Sequence, residues 1–170
     1  DIYRKHHGLF ACSAVLFNHE SPRRGLGFVT RKVTDAAARI SLGLAKSVEL
    51  GNLDARRDWG FAGDYMHAMY RMMQQTRATD YVVATGITHS VRQLCEIAFG
   101  HVGLDYRTHV LETPTEYRSG ESVQLVGNAE RARRELGWAP TIGFRELIVS
   151  MVEHDLARLR LACATNTREH

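Results

Sequence analysis

Apolar and polar positions along the chain form blocks that predict strands and helices in turn. Residues 10–17 are almost continuously apolar, which is typical of a strand buried on both faces of a mostly parallel sheet. Residues 28–45 instead place apolar side chains at helical spacing. Further strands are predicted over 48–51, 80–84 and 106–111, and a long amphipathic helix over 144–159. The alternation predicts an α/β protein.

Local signals predict where three further helices begin and end. Asp64 is predicted to be the N-cap of a helix with an apolar stripe. Either Thr88 or Ser90 is predicted to cap the next helix, which ends near residue 100. A short basic helix is predicted to begin at Asn128 and to stop at Gly137.

A polar, cationic segment over residues 18–25 follows the first predicted strand and is predicted to be a loop. Ligands of open α/β sheets bind beyond the carboxyl ends of strands. Arg23 and Arg24 lie in this segment, and Arg31 and Lys32 follow at the start of a predicted helix, whose N-terminus favours anions. The segment therefore predicts a phosphate-binding loop, and the alternative is a solvated basic turn.

Size, charge and cysteine content limit the class of protein. A chain of 170 residues with a formal net charge of +3 is expected to form one domain and is too weakly basic to indicate nucleic acid binding. It contains no transmembrane run and no signal peptide, so we expect a cytoplasmic protein without a membrane partner. The first residue is not Met, which predicts that the chain begins inside a longer polypeptide. Three widely spaced cysteines argue against a disulfide framework.

Several sequence motifs of cofactor and catalytic sites are missing. The chain contains no G-x-G-x-x-G, no G-x-x-x-x-G-K-[ST] and no G-x-S-x-G motif. Its histidines do not have the spacing of metal ligands, so no metal site is predicted. The residues by themselves therefore indicate an α/β protein that lacks the phosphate-binding start of a dinucleotide fold.

Three sequence blocks carry a resemblance to a known enzyme family. They are Phe-Asn-His-Glu-Ser-Pro-Arg-Arg-Gly at 17–25, Phe-Val-Thr-Arg-Lys at 28–32 and the segment 50–65, which contains Arg-Arg-Asp-Trp-Gly. The match continues through 84–86, 88–92 and 136–138. These blocks closely resemble the GDP-mannose 4,6-dehydratases, which are extended short-chain dehydrogenases/reductases.

The resemblance implies that residues 1–164 are the C-terminal, nucleotide-sugar-binding portion of such a subunit, and that 165–170 form a polar tail. This portion comprises the late sheet strands and the mainly helical substrate-binding region of an extended Rossmann-like subunit. In the family, bound NADP takes hydride from C4 of GDP-mannose, water leaves across C5 and C6, and hydride returns to C6. The catalytic Thr or Ser, Glu and Tyr-x-x-x-Lys lie in the N-terminal half, so no catalytic residue is expected here. The complete enzyme is expected to be a homo-oligomer, a dimer or a tetramer.

The resemblance also implies roles for individual residues. Two positions match cofactor contacts, namely His19 and Arg24. Six positions match substrate contacts, namely Asn18, Val29, Lys32, Arg57, Arg118 and Glu121. These roles suit the chemistry, since guanidinium groups bind phosphate oxygens in pairs and a carboxylate accepts hydrogen bonds from guanine or ribose.

Simpler interpretations stay open for some of these residues. Arg57 could form a local ion pair with Asp58, Arg118 could pair with a neighbouring glutamate, and His89 is interpreted as a capping or packing residue. The chain also departs from the family pattern at Ile87, at 26–27 and at 119–120, which puts normal activity in doubt. A non-catalytic remnant that binds a guanine nucleotide, or another nucleotide-sugar dehydratase or epimerase, are the alternative functions.

Overall fold

The structure, a computed structural model, describes residues 1–113 and 125–166. Its strands are β1 (Ala14–Leu16), β2 (Asn18–Glu20), β3 (Val48–Leu50), β4 (Arg56–Phe61), β5 (Tyr81–Val83), β6 (Thr88–Ser90) and β7 (Val110–Glu112). Its helices are α1 (Ile2–His7), α2 (Val29–Ser41), α3 (Ala62–Met73), α4 (Val91–His101), α5 (Glu130–Leu136) and α6 (Phe144–Asn166), with a 3₁₀ turn at Tyr106–Thr108.

The strands pair mainly in parallel. β1 pairs with β5, β2 with β4 and β3 with β7, all in parallel, whereas β6 runs antiparallel to β4. β4 lies between β2 and β6, so that Asn18 is opposite Trp59 and Arg57 is opposite His89. Parallel strands joined through helices confirm the predicted α/β class.

The first predicted strand and the loop after it differ from the prediction. The strand is limited to Ala14–Leu16, and the Phe17 N–H still donates to the carbonyl oxygen of Val83 in β5 at 3.0 Å. The chain then changes its partner strand to β4 at Asn18. Residues 18–20 form β2 along β4, so the prediction of a loop there was wrong. Because backbone pairing satisfies this segment, its polar side chains do not prevent a strand.

Strand β4 was not predicted, since its sequence Arg-Arg-Asp-Trp-Gly-Phe does not alternate. Its buried Asp58 is satisfied by four donors from later segments. One carboxylate oxygen accepts from the N–H and hydroxyl of Thr85 at 3.0 and 2.6 Å, and the other accepts from the N–H groups of Gly86 and Gly127 at 2.9 and 3.2 Å. A charged residue thus takes a core position because backbone donors surround it.

Two apolar clusters form the core. The larger contains the inner faces of α2, α4 and α6, and the smaller lies between α3, β5 and α5 around Tyr65 and Trp138. The indole N–H of Trp138 donates to the carbonyl oxygen of Asp64 at 2.8 Å, which fixes the chain after α5 to the start of α3. None of the helices within the described ranges has both the length and the apolar character needed to span a bilayer.

The helix ends agree with the predictions in part. Ser90, not Thr88, caps α4, and it forms a capping box with Gln93. Gly137 ends α5 in the left-handed conformation with φ of 59°, as expected for a glycine stop. Asp64 is not an N-cap, because α3 begins at Ala62 and the Asp64 carboxylate instead accepts from the backbone and hydroxyl of Thr141 at 2.9 and 2.6 Å.

Three other boundaries shift. α5 begins at Glu130 with Ala129 as its N-cap, and the Asn128 side chain accepts a hydrogen bond from the Glu130 N–H at 2.9 Å. The strand predicted over 106–111 begins only at Val110, because a 3₁₀ turn precedes it. α6 continues to Asn166, two residues into the predicted tail, and residues 167–170 lie outside the described ranges.

Candidate functional site

A cleft of about 350 Å³ lies where β2, β4 and the first turn of α2 meet. Its polar wall includes Asn18 and Glu20 from β2, and its cationic side chains include Lys32 of α2 and Arg57 of β4. Trp59 contributes an apolar surface. The N-terminus of α2 opens towards this space, so its backbone dipole adds positive potential to that of the side chains.

The cleft brings together most of the residues that the sequence predicted for a ligand site. Five of them line it: Asn18, Arg24, Val29, Lys32 and Arg57. They come from two strands, a helix and the turn between them, and the parallel pairing of β2 with β4 places the strand residues side by side. Arg118 and Glu121 lie outside the described residues, so their predicted roles stay predictions.

His19 is separated from this group because successive residues of a strand face opposite sides. Its Nδ1 lies 3.0 Å from the carbonyl oxygen of Phe17, and its ring centroid is 5.4 Å from that of Tyr65. Since the carbonyl oxygen can only accept, Nδ1 carries the proton and Nε2 is left as an acceptor when the imidazole is neutral. β2 therefore presents Asn18 and Glu20 on one side and an oriented histidine on the other.

Tyr65, next to His19, is a buried residue of α3 in the smaller core cluster. Its hydroxyl has no hydrogen-bond partner among the described residues. Burial, together with the carboxylates of Asp58, Asp64 and Glu20, raises the pKa of this phenol, so it stays protonated. The hydroxyl is therefore a neutral donor beside the His19 ring.

Arg24 is held at the edge of the cleft by two side chains. Its guanidinium carbon lies 3.6 Å from the centroid of the Phe28 ring, and its Nε lies 3.4 Å from a carboxylate oxygen of Glu20. Thr30 donates its hydroxyl to the same Glu20 oxygen at 2.6 Å. The cation is thereby placed before any ligand arrives, which reduces the entropy that binding costs.

Glu20 is the cleft residue that sequence reasoning missed. It is only 2 % exposed, and burial raises the pKa of its carboxyl, although the Thr30 hydrogen bond and the charges of Arg24 and His19 oppose this shift. Its position inside the polar segment 18–25 was visible in the sequence, but nothing there showed that its side chain faces the same cleft as Asn18.

Arg57 and Asp58 lie on opposite sides of β4. Arg57 lines the cleft and donates to the carbonyl oxygen of Arg56 at 2.7 Å. Asp58 faces the core and accepts from residues of the β5–β6 and 125–129 segments. The carboxylate oxygens of Asp58 are thus occupied by donors other than Arg57, and the Arg57 side chain lines the cleft on the other side of the strand.

Arg31 does not belong to the cationic surface that the sequence predicted. It is 5 % exposed and forms an ion pair with the buried Asp155 of α6, with 2.5 Å between Nη2 and Oδ1. At the start of α2 the helical period turns Lys32 towards the cleft and Arg31 into the core. The positive charge that faces the cleft therefore comes from Arg24, Lys32 and Arg57.

His89 packs against Phe144. Its ring stacks on Phe144 with 3.9 Å between centroids and 5° between planes, and burial lowers the pKa of the imidazole. The packing interpretation of His89 is confirmed. Within the described ranges, no group of three or more His, Cys, Asp or Glu side chains has the arrangement of a metal site.

The arrangement suits a ligand that carries phosphate groups together with other polar groups. Two guanidinium groups, an ammonium group and a helix N-terminus provide donors and positive charge for phosphate oxygens. The Asn18 amide and the Glu20 carboxylate provide hydrogen-bonding groups of fixed position.

Comparison with known proteins identifies the family. The family model described as GDP-mannose 4,6 dehydratase matches residues 1–151. The chain belongs to the GDP-mannose 4,6-dehydratase family. It is 50 % identical over 154 residues to GDP-mannose 4,6 dehydratase 1 of Arabidopsis thaliana, a match that covers 91 % of this chain and 43 % of the plant protein. The human GDP-mannose 4,6 dehydratase is 41 % identical over 175 residues, covering 93 % of this chain and 47 % of the human protein.

The solved structures that resemble this chain have the same fold as the dehydratase family. RMD from Pseudomonas aeruginosa, solved in complex with NADPH, superposes with a TM-score of 0.83 at 23 % identity and covers 92 % of this chain and 52 % of its own. A dTDP-glucose 4,6-dehydratase from Bacillus anthracis, solved with NAD, gives a TM-score of 0.75 at 17 % identity, over 89 % of this chain and 46 % of its own. The chain thus spans about half the length of the proteins that it matches, and the extended short-chain dehydrogenase fold is confirmed.

Proposed function

We propose that this chain is the nucleotide-sugar-binding portion of a GDP-mannose 4,6-dehydratase. The observation that carries the proposal is the single cleft that gathers Asn18, Arg24, Lys32 and Arg57 in a chain of this family. The reaction proposed for the complete enzyme converts GDP-mannose to GDP-4-dehydro-6-deoxy-mannose and water. Hydride passes from C4 to NADP and returns to C6, so the cofactor is unchanged at the end.

The role of this chain in that reaction is to hold the substrate. Arg57 and Lys32 bind oxygens of the diphosphate, and the Asn18 amide donates to it. Val29 contacts the nucleotide from the first turn of α2. Arg118 and Glu121 complete the nucleotide contacts, as the family resemblance implies.

NADP is the proposed cofactor, and this chain contributes only part of its site. His19 and Arg24 are the proposed contacts, as the family resemblance implies. His19 offers a hydrogen-bond acceptor at Nε2 and Arg24 offers a fixed guanidinium, which suit the hydroxyl and phosphate groups of such a ligand. The cofactor supplies hydride transfer when it is bound. The sequence of this chain contains neither a glycine-rich dinucleotide loop nor a Tyr-x-x-x-Lys pair, so the rest of that site must come from elsewhere.

Calorimetric titration with GDP and with GDP-mannose tests the substrate role. We expect weak binding by the chain, and a loss of about 1.5–3 kcal/mol for Arg57→Ala or Arg118→Ala, because each removes a charged contact to phosphate. Arg39→Ala is the matched control, since Arg39 pairs with Asp35 on α2 and does not line the cleft. Equal affinities for the unaltered chain and the Arg57 and Arg118 variants would contradict the proposed site.

Two measurements separate the alternative functions, a reconstituted activity assay and the same titration with other nucleotides. Ile87 is 61 % exposed at a position where the family resemblance predicts glutamate, which favours a remnant that binds a guanine nucleotide without catalysis. Addition of the missing half of a related dehydratase, with formation of the 4-keto product as the measurement, distinguishes that remnant from a functional portion. Preference for a thymidine or uridine nucleotide over GDP would instead indicate another dehydratase or an epimerase.

A further inference from the structure

The buried Arg31 lies beneath the turn that carries Arg24. Within this turn the Arg24 N–H donates to the carbonyl oxygen of Ser21 at 3.0 Å. Arg31 Nη1 donates to the carbonyl oxygens of Pro22 and Arg24, the latter at 3.2 Å. One guanidinium nitrogen therefore holds two backbone carbonyls of the turn from its inner side.

The other end of the Arg31 guanidinium is fixed by α6. Its Nη2 lies 2.5 Å from Oδ1 of Asp155, which is fully buried, and the Thr34 hydroxyl donates to Oδ2 of the same carboxylate at 2.9 Å. A buried charge that loses its partner is costly, so the carboxylate restricts where the guanidinium can lie. The contacts run from α6 through Arg31 to the backbone of residues 22–24, and from there to the Arg24 side chain in the cleft.

We propose that Arg31 and Asp155 are positioning residues that place Arg24 for an anionic nucleotide. Neither residue lines the cleft, so both act through Arg24. Lysine at position 31 would keep the charge but would lack the planar fork that reaches a carboxylate and two carbonyls at once. The proposal rests on the proposed function, because Arg24 contacts a ligand only if a nucleotide binds in this cleft.

The first measurement needs no ligand. Hydrogen exchange of the Arg24 amide is compared in the unaltered chain, in Arg31→Lys and in the control Arg39→Lys, which makes the same replacement at a partly exposed site of α2. We expect Arg24 amide exchange to be about tenfold faster in Arg31→Lys and unchanged in Arg39→Lys. A tenfold acceleration corresponds to a loss of ~1.4 kcal/mol of local stability. The Val91 amide, which donates to the Ala55 carbonyl oxygen at 3.1 Å, is the internal reference and should not change. Equal acceleration at Val91 and Arg24 would show general destabilisation and overturn the proposal.

The second measurement is a double-mutant cycle on NADP affinity, because Arg24 is a proposed cofactor contact. Arg31→Lys is expected to weaken NADP binding about tenfold in the unaltered background and to have almost no effect in the Arg24→Ala background, because residues that act as a unit are not additive. Additive losses would overturn the proposal. If the unaltered chain does not bind NADP at all, the proposed cofactor role of Arg24 fails, while the exchange measurement still decides whether Arg31 positions the turn.

A milder variant covers the case in which Arg31→Lys does not fold. Thr34→Val removes only the hydroxyl that donates to Asp155 and keeps the shape of the side chain. It should raise Arg24 amide exchange and weaken NADP binding, both by smaller factors than Arg31→Lys. Unchanged exchange at Arg24 in a folded Thr34→Val protein would then overturn the proposal.

Discussion

Replacing Asp58 with asparagine is expected to lower the free energy of unfolding by about 3 kcal/mol, because donors to its buried carboxylate lose their acceptor. The two carboxylate oxygens accept four hydrogen bonds, of which three come from the backbone N–H groups of Thr85, Gly86 and Gly127. The asparagine side chain would present one oxygen and one NH₂ group, and the NH₂ cannot accept. Either orientation of the amide leaves at least one backbone donor unpaired, and the orientation that keeps the Thr85 bonds leaves two, one of which is the buried Gly127 N–H. An unpaired donor costs about 1–3 kcal/mol when it is buried.

Urea unfolding followed by circular dichroism measures this loss. The thermal midpoint should also fall by about 6–12 °C, since ~1 kcal/mol shifts it by ~2–4 °C in a domain of this size. Asp54→Asn is the matched control. Asp54 pairs with Arg92 at 3.0 Å, but its side chain is 74 % exposed, so a change within about 0.5 kcal/mol is expected. If Asp58→Asn were no more destabilising than Asp54→Asn, the backbone donors around Asp58 would not hold β4 in the core.

Two further predictions concern catalysis and pH. The purified chain, incubated with GDP-mannose and NADP, should form no 4-keto product. Its sequence supplies neither the glycine-rich loop nor a Tyr-x-x-x-Lys general base. Formation of product by a preparation free of contaminating enzyme would refute this prediction. Burial raises the pKa of Glu20 above 4.5, so the folded protein binds this proton more tightly than the unfolded chain. The Glu20 contribution to the free energy of unfolding should therefore fall as pH rises through the folded-state pKa, and Glu20→Gln should flatten that part of a urea-unfolding series, which lies above pH 4.5. An unchanged slope in Glu20→Gln would contradict the burial of a carboxyl there.

Elements with local signals were predictable from the sequence. The helical spacing of apolar residues in α2 and α6 and the capping box of α4 depend on contacts within a few residues, which a sequence pattern contains. The end of α5 at Gly137 was predictable for the same reason, because it depends only on the backbone conformation of the glycine itself.

Strands β2 and β4 were not predictable in this way. Each is polar along part of its length, and each is held by backbone pairing with a partner that is distant in the sequence, as Asn18 is from Trp59. The buried position of Asp58 depends on donors from residues 85, 86 and 127, none of which its neighbours in sequence reveal. A search for hydrophobic alternation misses strands whose polar residues form their hydrogen bonds with residues that are distant in the sequence.

The candidate site shows the same division between local and distant information. Asn18, Arg24 and Lys32 belong to contiguous blocks, which is why family resemblance could assign them before their common cleft was known. Arg31 stands beside Lys32 in one of those blocks, yet its side chain turns away from the cleft to Asp155, 124 residues later and beyond the stretch 1–151 that the family model matches. A block of sequence therefore gives the candidate residues for a ligand, whereas the contact between α2 and α6 determines which of its cations face the cleft.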